Sequence, residues 1–270
     1  MIKTRIVLVA LLGLALFSWP AVAVATGGQT SPHARIHARL EFVESSVTFA
    51  YQNVTGQLID LLAQGAAHPP AQLIATTGQG IGYLYLAEVD PQFRSPPKGT
   101  YWQGLAGNEA YSDKAAEADG YVKEARDLIL SYRPELSLRP AAKRLNYDQG
   151  HFQFIFIYGV PRPQRGAFES MSQDYNQLCL DRGVREFADV YEVIEDGDTL
   201  RYLVVKESAG NADFWRSETG LNSLIEGDLF DAIGMRAEAI MNSVETMSTV
   251  RLSQGRSPSP FLRSSARPEE

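Results

Sequence analysis

The strongest strand signal in the chain is the stretch His151-Phe152-Gln153-Phe154-Ile155-Phe156-Ile157-Tyr158-Gly159-Val160. Aromatic rings occupy every second position from Phe152 to Tyr158, and two isoleucines lie among the positions between them. A strand that is apolar on both faces is usually covered on both sides. We therefore expect residues 151–160 to form the central strand of a sheet.

A β-hairpin is predicted further along the chain, over about residues 186–206. Asp196-Gly197 is typical of a two-residue hairpin turn, because such turns need a positive φ that glycine supplies. Pairing outward from this turn places Tyr191 opposite Tyr202, and paired aromatic residues across two strands favour this register.

Helices are predicted where apolar residues recur every three or four positions. A long N-terminal helix is expected over 36–64, and others over 113–132, over 167–180 and from 228 to about 250. The first follows an almost heptad stripe, which indicates packing on a sheet or, alternatively, a coiled coil with a partner. The stripe consists of Ile36, Leu40, Val43, Val47, Ala50, Val54, Leu58 and Leu61.

These elements predict one α+β domain over residues 34–250. A small mixed or antiparallel sheet, with strands at 81–89 and 151–160 and the hairpin, would be covered by the helices. Residues 26–33 are expected to form a disordered linker. Residues 251–270 are rich in Ser, Arg and Pro and are expected to form a disordered tail.

Residues 1–25 have the three-part order of a secretion signal. Lys3 and Arg5 precede an uncharged run of 20 residues, and Ala-x-Ala cleavage sites end at Ala23 and Ala25. We expect cleavage there, and hence a periplasmic or secreted protein. Because 20 uncharged residues are also enough to span a bilayer, an N-terminal membrane anchor is the alternative.

The composition excludes several classes of partner and of fold. Asp and Glu number 32 against 25 Lys and Arg, which gives a net charge of −7. Since phosphate neutralisation dominates affinity for nucleic acids, no nucleic-acid partner is expected. Cys179 is the sole cysteine, so the fold must depend on its apolar core and not on a disulfide. An exported protein without disulfides is typical of a bacterial envelope.

His151 and Asp148 are the residues that a catalytic function would use. They lie three positions apart where a loop leads into the strand 151–160, and an Asp can orient a His for general-base work. No Gly-x-Ser-x-Gly elbow accompanies them, and Cys179 is interpreted as a small buried apolar residue. A small secreted hydrolase using His151 and Asp148 is therefore the alternative function.

Five residues are candidates for binding a ligand or a partner. Phe93, Tyr101 and Trp102 lie in a loop rich in Pro and Gly, where aromatic side chains either mark a contact surface or close the core. Arg162 and Arg165 follow the strand 151–160, and loops at strand ends commonly build binding sites.

No metal site or cofactor is predicted. His33 and His37 lie four positions apart, but a pair of histidines does not complete a metal site. They are interpreted as solvated side chains at the start of the first helix. The Gly78-Gln79-Gly80-Ile81-Gly82 run leads into a strand, whereas phosphate-binding loops open a helix.

The leading functional prediction is a non-catalytic envelope protein that binds or assembles with a ligand or another protein. No complete catalytic constellation is present, so an enzyme is not favoured. Its expected partners are an envelope protein or a small ligand, with oligomerisation through the heptad-like helices as a further alternative. A membrane contact is expected only if the N-terminal segment is retained.

Overall fold

The computed structural model describes residues 35–64, 70–90, 92–93, 101–106, 111–141, 144–145, 152–194 and 197–251. The predicted signal peptide and linker, and the tail beyond residue 251, lie outside these residues. So do Asp148 and His151. None of the described helices is both long and apolar enough to cross a membrane.

The described residues form eight strands and six α-helices, joined by turns and short 3₁₀ helices. The strands are β1 (Arg35–Val43), β2 (Ala71–Thr77), β3 (Gly80–Val89), β4 (Val122–Tyr132), β5 (Phe152–Pro161), β6 (Asp189–Val193), β7 (Thr199–Ser208) and β8 (Ser243–Arg251). The helices are α1 (Thr48–Gln64), α2 (Tyr101–Ala106), α3 (Ser112–Tyr121), α4 (Arg165–Asp181), α5 (Asn211–Ile225) and α6 (Asp228–Ile240). In the N-terminal half of the chain the strands are paired in the order β1-β3-β2, and in the C-terminal half in the order β8-β5-β7-β6, with antiparallel neighbours throughout. The prediction of a small sheet beneath a long N-terminal helix is therefore wrong.

The predicted N-terminal helix is a strand followed by a helix. β1 covers Arg35–Val43 and pairs antiparallel with β3, while α1 begins at Thr48. The apolar positions Ile36, Leu40 and Val43 fit a helical period, but Ile36, Ala38 and Leu40 fit a period of two equally well. The stripe that suggested a coiled coil is thus divided between two elements.

Two other predicted helices also change into strands part-way. The helix expected over 113–132 ends at Tyr121, just after Gly120, and β4 continues from Val122. The helix expected from residue 228 ends at Ile240, and β8 begins at Ser243. In both cases the strand follows the helix after no more than two residues, so the apolar pattern shows no gap.

The chain divides into two compact units at Leu130–Ser131, near the end of β4. The N-terminal unit has the order β1-α1-β2-β3-α2-α3-β4, and the C-terminal unit has the order β5-α4-β6-β7-α5-α6-β8. Both are the split βαβ arrangement of ferredoxin-like folds, with one additional helix each. The same arrangement therefore occurs twice in one chain.

The predicted central strand is confirmed in the C-terminal unit. β5 pairs antiparallel with both β7 and β8. Its residues Phe156, Tyr158 and Val160 are buried in one apolar cluster with residues of α4, α5 and α6. Ile155, on the opposite face, is buried as well. The helix predicted over 167–180 is confirmed as α4.

The predicted hairpin is confirmed, but its register is wrong by one residue. Glu192 lies opposite Tyr202, and Tyr191 lies opposite Leu203. A connection one residue longer than the assumed two-residue turn accounts for the shift, and a slip of one residue moves side chains to the other face. Tyr191 and Tyr202 therefore lie on opposite faces of the sheet.

Asp213 holds the start of α5 through charged hydrogen bonds. Its carboxylate accepts from Arg144 Nη1 and Nη2, both at 3.0 Å, and from Ser208 Oγ at 2.8 Å. Burial alone would raise the pKa of Asp213, but the hydrogen bonds of Arg144 and Ser208 outweigh it and lower the pKa to about 2. The ionised form therefore stabilises the fold.

Replacing Asp213 by asparagine is expected to lower the free energy of unfolding by about 1–3 kcal/mol at pH 7. A depressed pKa contributes stability above the unfolded pKa of about 3.9, and this contribution is lost as the pH falls toward the folded pKa. The difference between wild type and variant should therefore shrink between about pH 4 and pH 2, as measured by urea unfolding. Asp228→Asn, at an exposed carboxylate in the first turn of α6, is the control. A difference that is independent of pH would contradict this account.

Candidate functional site

The helix-covered face of the N-terminal unit carries charged side chains in its interior. His37, Arg39 and Glu41 alternate along β1 and are all buried, with Glu41 0% exposed. On β5, which opens the C-terminal unit, the helix-covered face carries Phe154, Phe156 and Tyr158. Burying charge is costly unless it is paired. The polar face of β1 therefore marks the N-terminal unit as the candidate site.

Asp127 of β4 connects the imidazole of His37 with the guanidinium of Arg39. The Oδ1 of Asp127 lies 2.7 Å from His37 Nε2, and its Oδ2 accepts from Arg39 Nη1 at 2.9 Å. Arg39 Nε donates to Glu41 Oε1 at 2.6 Å. His37, Asp127, Arg39 and Glu41 form one continuous hydrogen-bonded row, which we call the charged row.

The hydrogen bonds continue beyond Glu41 into a group of tyrosines. The hydroxyl of Tyr51 donates to Glu41 Oε2 and lies 2.7 Å from the hydroxyl of Tyr85. Gln72 Nε2 donates to the Tyr85 hydroxyl at 2.9 Å, and Trp102 Nε1 donates to Glu41 Oε2 at 3.3 Å. Glu41 thus accepts hydrogen bonds from Arg39, Tyr51 and Trp102.

Two buried donors in this site have no hydrogen-bond partner in the described part of the chain. They are Arg39 Nη2 and the hydroxyl of Tyr101. The Cζ of Arg39 lies 4.8 Å from the centre of the Tyr101 ring, so the two side chains are in contact. Because an unsatisfied buried donor is costly, such a pair indicates a position where a ligand oxygen accepts.

The charged row fixes which nitrogen of His37 carries a hydrogen. Burial alone would raise the pKa of Asp127, but the hydrogen bonds and charges of His37 and Arg39 outweigh it and hold the pKa below its usual range. Ionised Asp127 only accepts, so His37 Nε2 is the donor. In a neutral imidazole this leaves Nδ1 with a lone pair, as a general base requires.

Arg39 is held as a cation and Glu41 is held in an apolar environment. Burial alone would lower the pKa of Arg39, but the hydrogen bond and charge of Glu41 raise it. Burial also raises the pKa of Glu41, and the donors Tyr51 and Arg39 offset part of that increase.

The aromatic part of the site is positioned by Asp119 of α3. Its carboxylate accepts from the backbone N–H groups of Trp102 and Gln103, at 3.2 and 3.3 Å. These groups lie in the first turn of α2, where a helix has no internal acceptors. Asp119 therefore fixes the helix that carries Tyr101 and Trp102.

The predicted aromatic binding residues lie at this site, but not as an exposed surface. Tyr101 and Trp102 are buried, with Trp102 0% exposed. The ring centres of Phe93 and Tyr101 lie 5.0 and 5.5 Å from that of His37. The structure thus brings Phe93 and Tyr101 together around His37. This arrangement corresponds to the alternative in which the aromatic side chains of the loop close the core.

Arg162 and Arg165 belong to the C-terminal unit and are engaged within it. Arg162 Nε donates to the carbonyl oxygen of Gly197 at 2.8 Å. Arg165 donates to Glu169 at 3.0 Å and to Glu192 at 2.7 Å. Their predicted role in binding stays a prediction.

His37 is the residue of the candidate site whose position the sequence does not predict. It was expected to be solvated, whereas it is 2% exposed. The signal that identifies it is the strict alternation Ile36-His37-Ala38-Arg39-Leu40-Glu41-Phe42, which is typical of a strand with one polar face. In the ranges that the structure describes, no three His, Cys, Asp or Glu side chains are placed to hold a metal ion.

The fold of this chain is similar to the folds of several solved structures. A "putative monooxygenase" from Fusobacterium nucleatum has a TM-score of 0.51 and 10% sequence identity, and the similarity covers 82% of this chain and 93% of that one. An anthrone oxidase-like protein has a TM-score of 0.48 and 12% identity, over 83% and 94% of the two chains. A mutant chlorite dismutase from Candidatus Nitrospira defluvii has a TM-score of 0.48 and 9% identity, over 88% and 97%. No protein-family model and no curated protein match the chain.

The prediction of a non-catalytic envelope binding or assembly protein is contradicted, since the similar structure with a TM-score above 0.5 is named as a monooxygenase. At such low identity the comparison establishes the fold alone. The reaction must be argued from the residues of this chain.

Proposed function

We propose that the chain is an oxygen-dependent oxidoreductase of the monooxygenase type, with its reaction site at the charged row of the N-terminal unit. The observation that carries the proposal is the pair of unpartnered buried donors, Arg39 Nη2 and the Tyr101 hydroxyl, beside a His–Asp pair. The fold similarity to a protein named as a monooxygenase supports this class of reaction over hydrolysis.

The proposed substrate is a planar organic molecule with an acidic hydrogen on a ring CH₂ carbon that is conjugated, through fused aromatic rings, with a ring carbonyl. His37 Nδ1 takes this hydrogen as a proton, and Asp127 stabilises the imidazolium that results. Negative charge then develops on the carbonyl oxygen, where Arg39 Nη2 and the Tyr101 hydroxyl donate hydrogen bonds. Donors that are fixed before charge develops need no reorganisation during the reaction.

The electron-rich anion supplies the electrons that dioxygen takes up. Overall, a CH₂ group and O₂ give a C=O group and H₂O: the carbon is oxidised, one oxygen atom enters the product and the other leaves as water. The rings of Phe93 and Tyr101 flank His37 and would lie against a planar substrate.

The test is dioxygen uptake by the full chain with anthrone as substrate, measured with an oxygen electrode above the rate in buffer. His37→Gln is expected to lower kcat at least about 100-fold, because the base is lost. Tyr101→Phe removes only the unpartnered hydroxyl and is expected to lower kcat about 10-fold or more.

Tyr175→Phe is the matched control, since it removes a buried hydroxyl from α4 of the C-terminal unit. It is expected to leave uptake unchanged. Uptake that is equal in wild type, His37→Gln and Tyr101→Phe would refute the proposed site, provided that circular dichroism shows all variants folded.

A further inference from the structure

The aromatic residues around Glu41 form an unbroken series of oxidisable rings. The ring centre of Trp102 lies 5.3 Å from that of Tyr101 and 4.7 Å from that of Tyr85. The hydroxyls of Tyr85 and Tyr51 are 2.7 Å apart, and the ring centres of Tyr51 and Tyr83 are 4.8 Å apart. We call the series Tyr101, Trp102, Tyr85, Tyr51 and Tyr83 the aromatic chain.

The hydrogen bonds that lead from Gln72 through Tyr85 and Tyr51 to Glu41 all run in one direction. Each tyrosine hydroxyl has one hydrogen to donate. Since Tyr51 donates to Glu41, the contact between the two hydroxyls must be donated by Tyr85. Gln72 in turn donates to Tyr85. A proton released by Tyr85 therefore has a ready path through Tyr51 to the carboxylate of Glu41.

We propose that the aromatic chain carries one-electron oxidising equivalents out of the reaction site, with Glu41 as the acceptor of the phenolic proton. Superoxide, formed when dioxygen takes one electron from the substrate anion, takes one electron from Trp102 and the proton of the His37 imidazolium, and becomes hydroperoxide. Tyr85 then returns one electron to Trp102. The hydroxyl proton of Tyr85 passes to Tyr51, and that of Tyr51 passes to Glu41. The products are a Tyr85 phenoxyl radical, a restored indole and a protonated Glu41.

A buried carboxylate is what makes this step favourable. A phenol that loses an electron becomes a strong acid, and in an apolar interior it needs a proton acceptor at hydrogen-bond distance. Glu41, itself 0% exposed, occupies that position for Tyr51. Burial raises the pKa of Glu41, so the buried carboxylate can accept and hold this proton.

The aromatic chain ends at Tyr83, which is itself 2% exposed but contacts the start of α1, where exposed residues lie. Tyr83, at its far end, has hydrogen bonds to side chains of Gln52 and Thr48 at the start of α1. Residues 44–46 and Phe49 beside them are exposed, with Phe49 84% exposed. A soluble one-electron reductant such as ascorbate would there restore the tyrosine and be oxidised itself.

The core of the C-terminal unit provides a contrast within the same chain. Its ring contacts Phe156–Tyr158, Tyr158–Phe168 and Phe168–Tyr202 each join a tyrosine to a phenylalanine. Phenylalanine is far harder to oxidise than tyrosine or tryptophan. Within this apolar cluster the three contacts therefore do not form a continuous series of tyrosine and tryptophan rings like the aromatic chain.

This inference builds on the proposed function, which supplies the oxidising species, but its test needs neither substrate nor oxygen. The chain has three tryptophans, Trp19, Trp102 and Trp215. In the full chain with Trp19→Phe and Trp215→Phe, an ultraviolet pulse under argon, tuned to the long-wavelength edge of the indole absorption where tyrosine does not absorb, photoionises Trp102 alone. Transient absorption then follows the tryptophan radical, and electron paramagnetic resonance of frozen samples detects the tyrosyl radical.

The tryptophan radical is expected to decay as the tyrosyl radical appears. In this background Tyr85→Phe should prolong the tryptophan radical at least 10-fold, and Tyr202→Phe should leave its lifetime unchanged. Tyr51→Phe leaves the step from Tyr85 to Trp102 in place but removes the proton path for that step, so it should slow this transfer less than Tyr85→Phe. It serves as the second variant if Tyr85→Phe does not fold.

Equal lifetimes in the background chain and in Tyr85→Phe, or no tyrosyl signal in the background chain, would overturn the inference. Because substrate is absent, that result would leave the oxygen-uptake experiment untouched. Conversely, failure of anthrone oxidation would not alter the radical kinetics.

Discussion

Lys206→Met is expected to lower the free energy of unfolding by about 3–5 kcal/mol, as measured by urea unfolding at pH 7. Lys206 of β7 is 0% exposed, and its Nζ donates to Oε1 of Glu218 on α5 at 2.8 Å. The Nζ also lies 5.4 Å from the ring centre of Phe156 and 5.5 Å from that of Phe214. Removing the lysine leaves a buried carboxylate without its cation.

The double variant Lys206→Met/Glu218→Leu should recover most of this loss. Burial lowers the pKa of Lys206 and raises that of Glu218, so each ion is costly in this core without the other. Replacing both by apolar residues of similar volume removes that cost, and such replacements are often neutral or stabilising. The coupling energy from the double-mutant cycle measures the pair.

Arg236→Met is the matched control for the same unit. Arg236 pairs with Asp174 at 2.6 Å, but both side chains are more than a third exposed. The loss should stay below about 1 kcal/mol, because exposed ion pairs contribute little. A double variant as unstable as Lys206→Met would contradict the explanation, since it would mean that apolar replacements do not fill this space.

The sequence predicts the C-terminal unit better than the N-terminal unit, because apolar residues dominate the sheet there. Phe156 and Ile155 lie on opposite faces of β5, and their apolar side chains predict that both faces are buried. The alternation along this stretch fits a strand better than a helix. The hairpin of β6 and β7 is also recognisable from its turn. Its register depends on the length of the connection, and this is why Tyr191 lies opposite Leu203 and not opposite Tyr202.

The N-terminal unit is harder to predict because its buried strand face is charged. His37, Arg39 and Glu41 resemble the solvated side of a helix, since isolated charges are usually exposed. Their burial depends on partners that are distant in sequence, such as Asp127, which lies 88 positions from Arg39. Sequence spacing within residues 36–64 contains no information about that partner.

The repeated arrangement of the two units is equally hidden in the sequence. β1 and β5 open the same order of strands and helices, yet one has His37, Arg39 and Glu41 on its helix-covered face and the other has Phe154, Phe156 and Tyr158. Both sets of side chains are compatible with the fold because each set fills the layer between sheet and helices. The candidate site therefore depends on the side chains that β1 carries and not on the order of strands and helices.

Arg39→Met is expected to lower the free energy of unfolding by about 3–5 kcal/mol at pH 7. The variant keeps an apolar side chain of similar length, but Glu41 loses its cation and Asp127 loses the Nη1 hydrogen bond. Arg126→Met, at an exposed pair with Glu124 in the same unit, is the control and should cost less than about 1 kcal/mol.

The loss in Arg39→Met should depend on pH in a defined direction. Burial already raises the pKa of Glu41, and without Arg39 it must rise further above its unfolded value of about 4.3. A carboxyl with a raised pKa favours the folded state fully below the unfolded pKa, and this contribution is lost as the pH rises. The difference from wild type should therefore be small near pH 4 and grow toward pH 7.

Glu41→Gln in the Arg39→Met background separates the charge of Glu41 from the shape of its side chain. The amide is neutral, and its oxygen still accepts from Tyr51 and Trp102, so most of the lost stability at pH 7 should return and the pH dependence should flatten. If the double variant is no more stable than Arg39→Met at any pH, the charge of Glu41 is not the cause. The packing of the guanidinium against Tyr101, 4.8 Å from its ring centre, would then account for the loss.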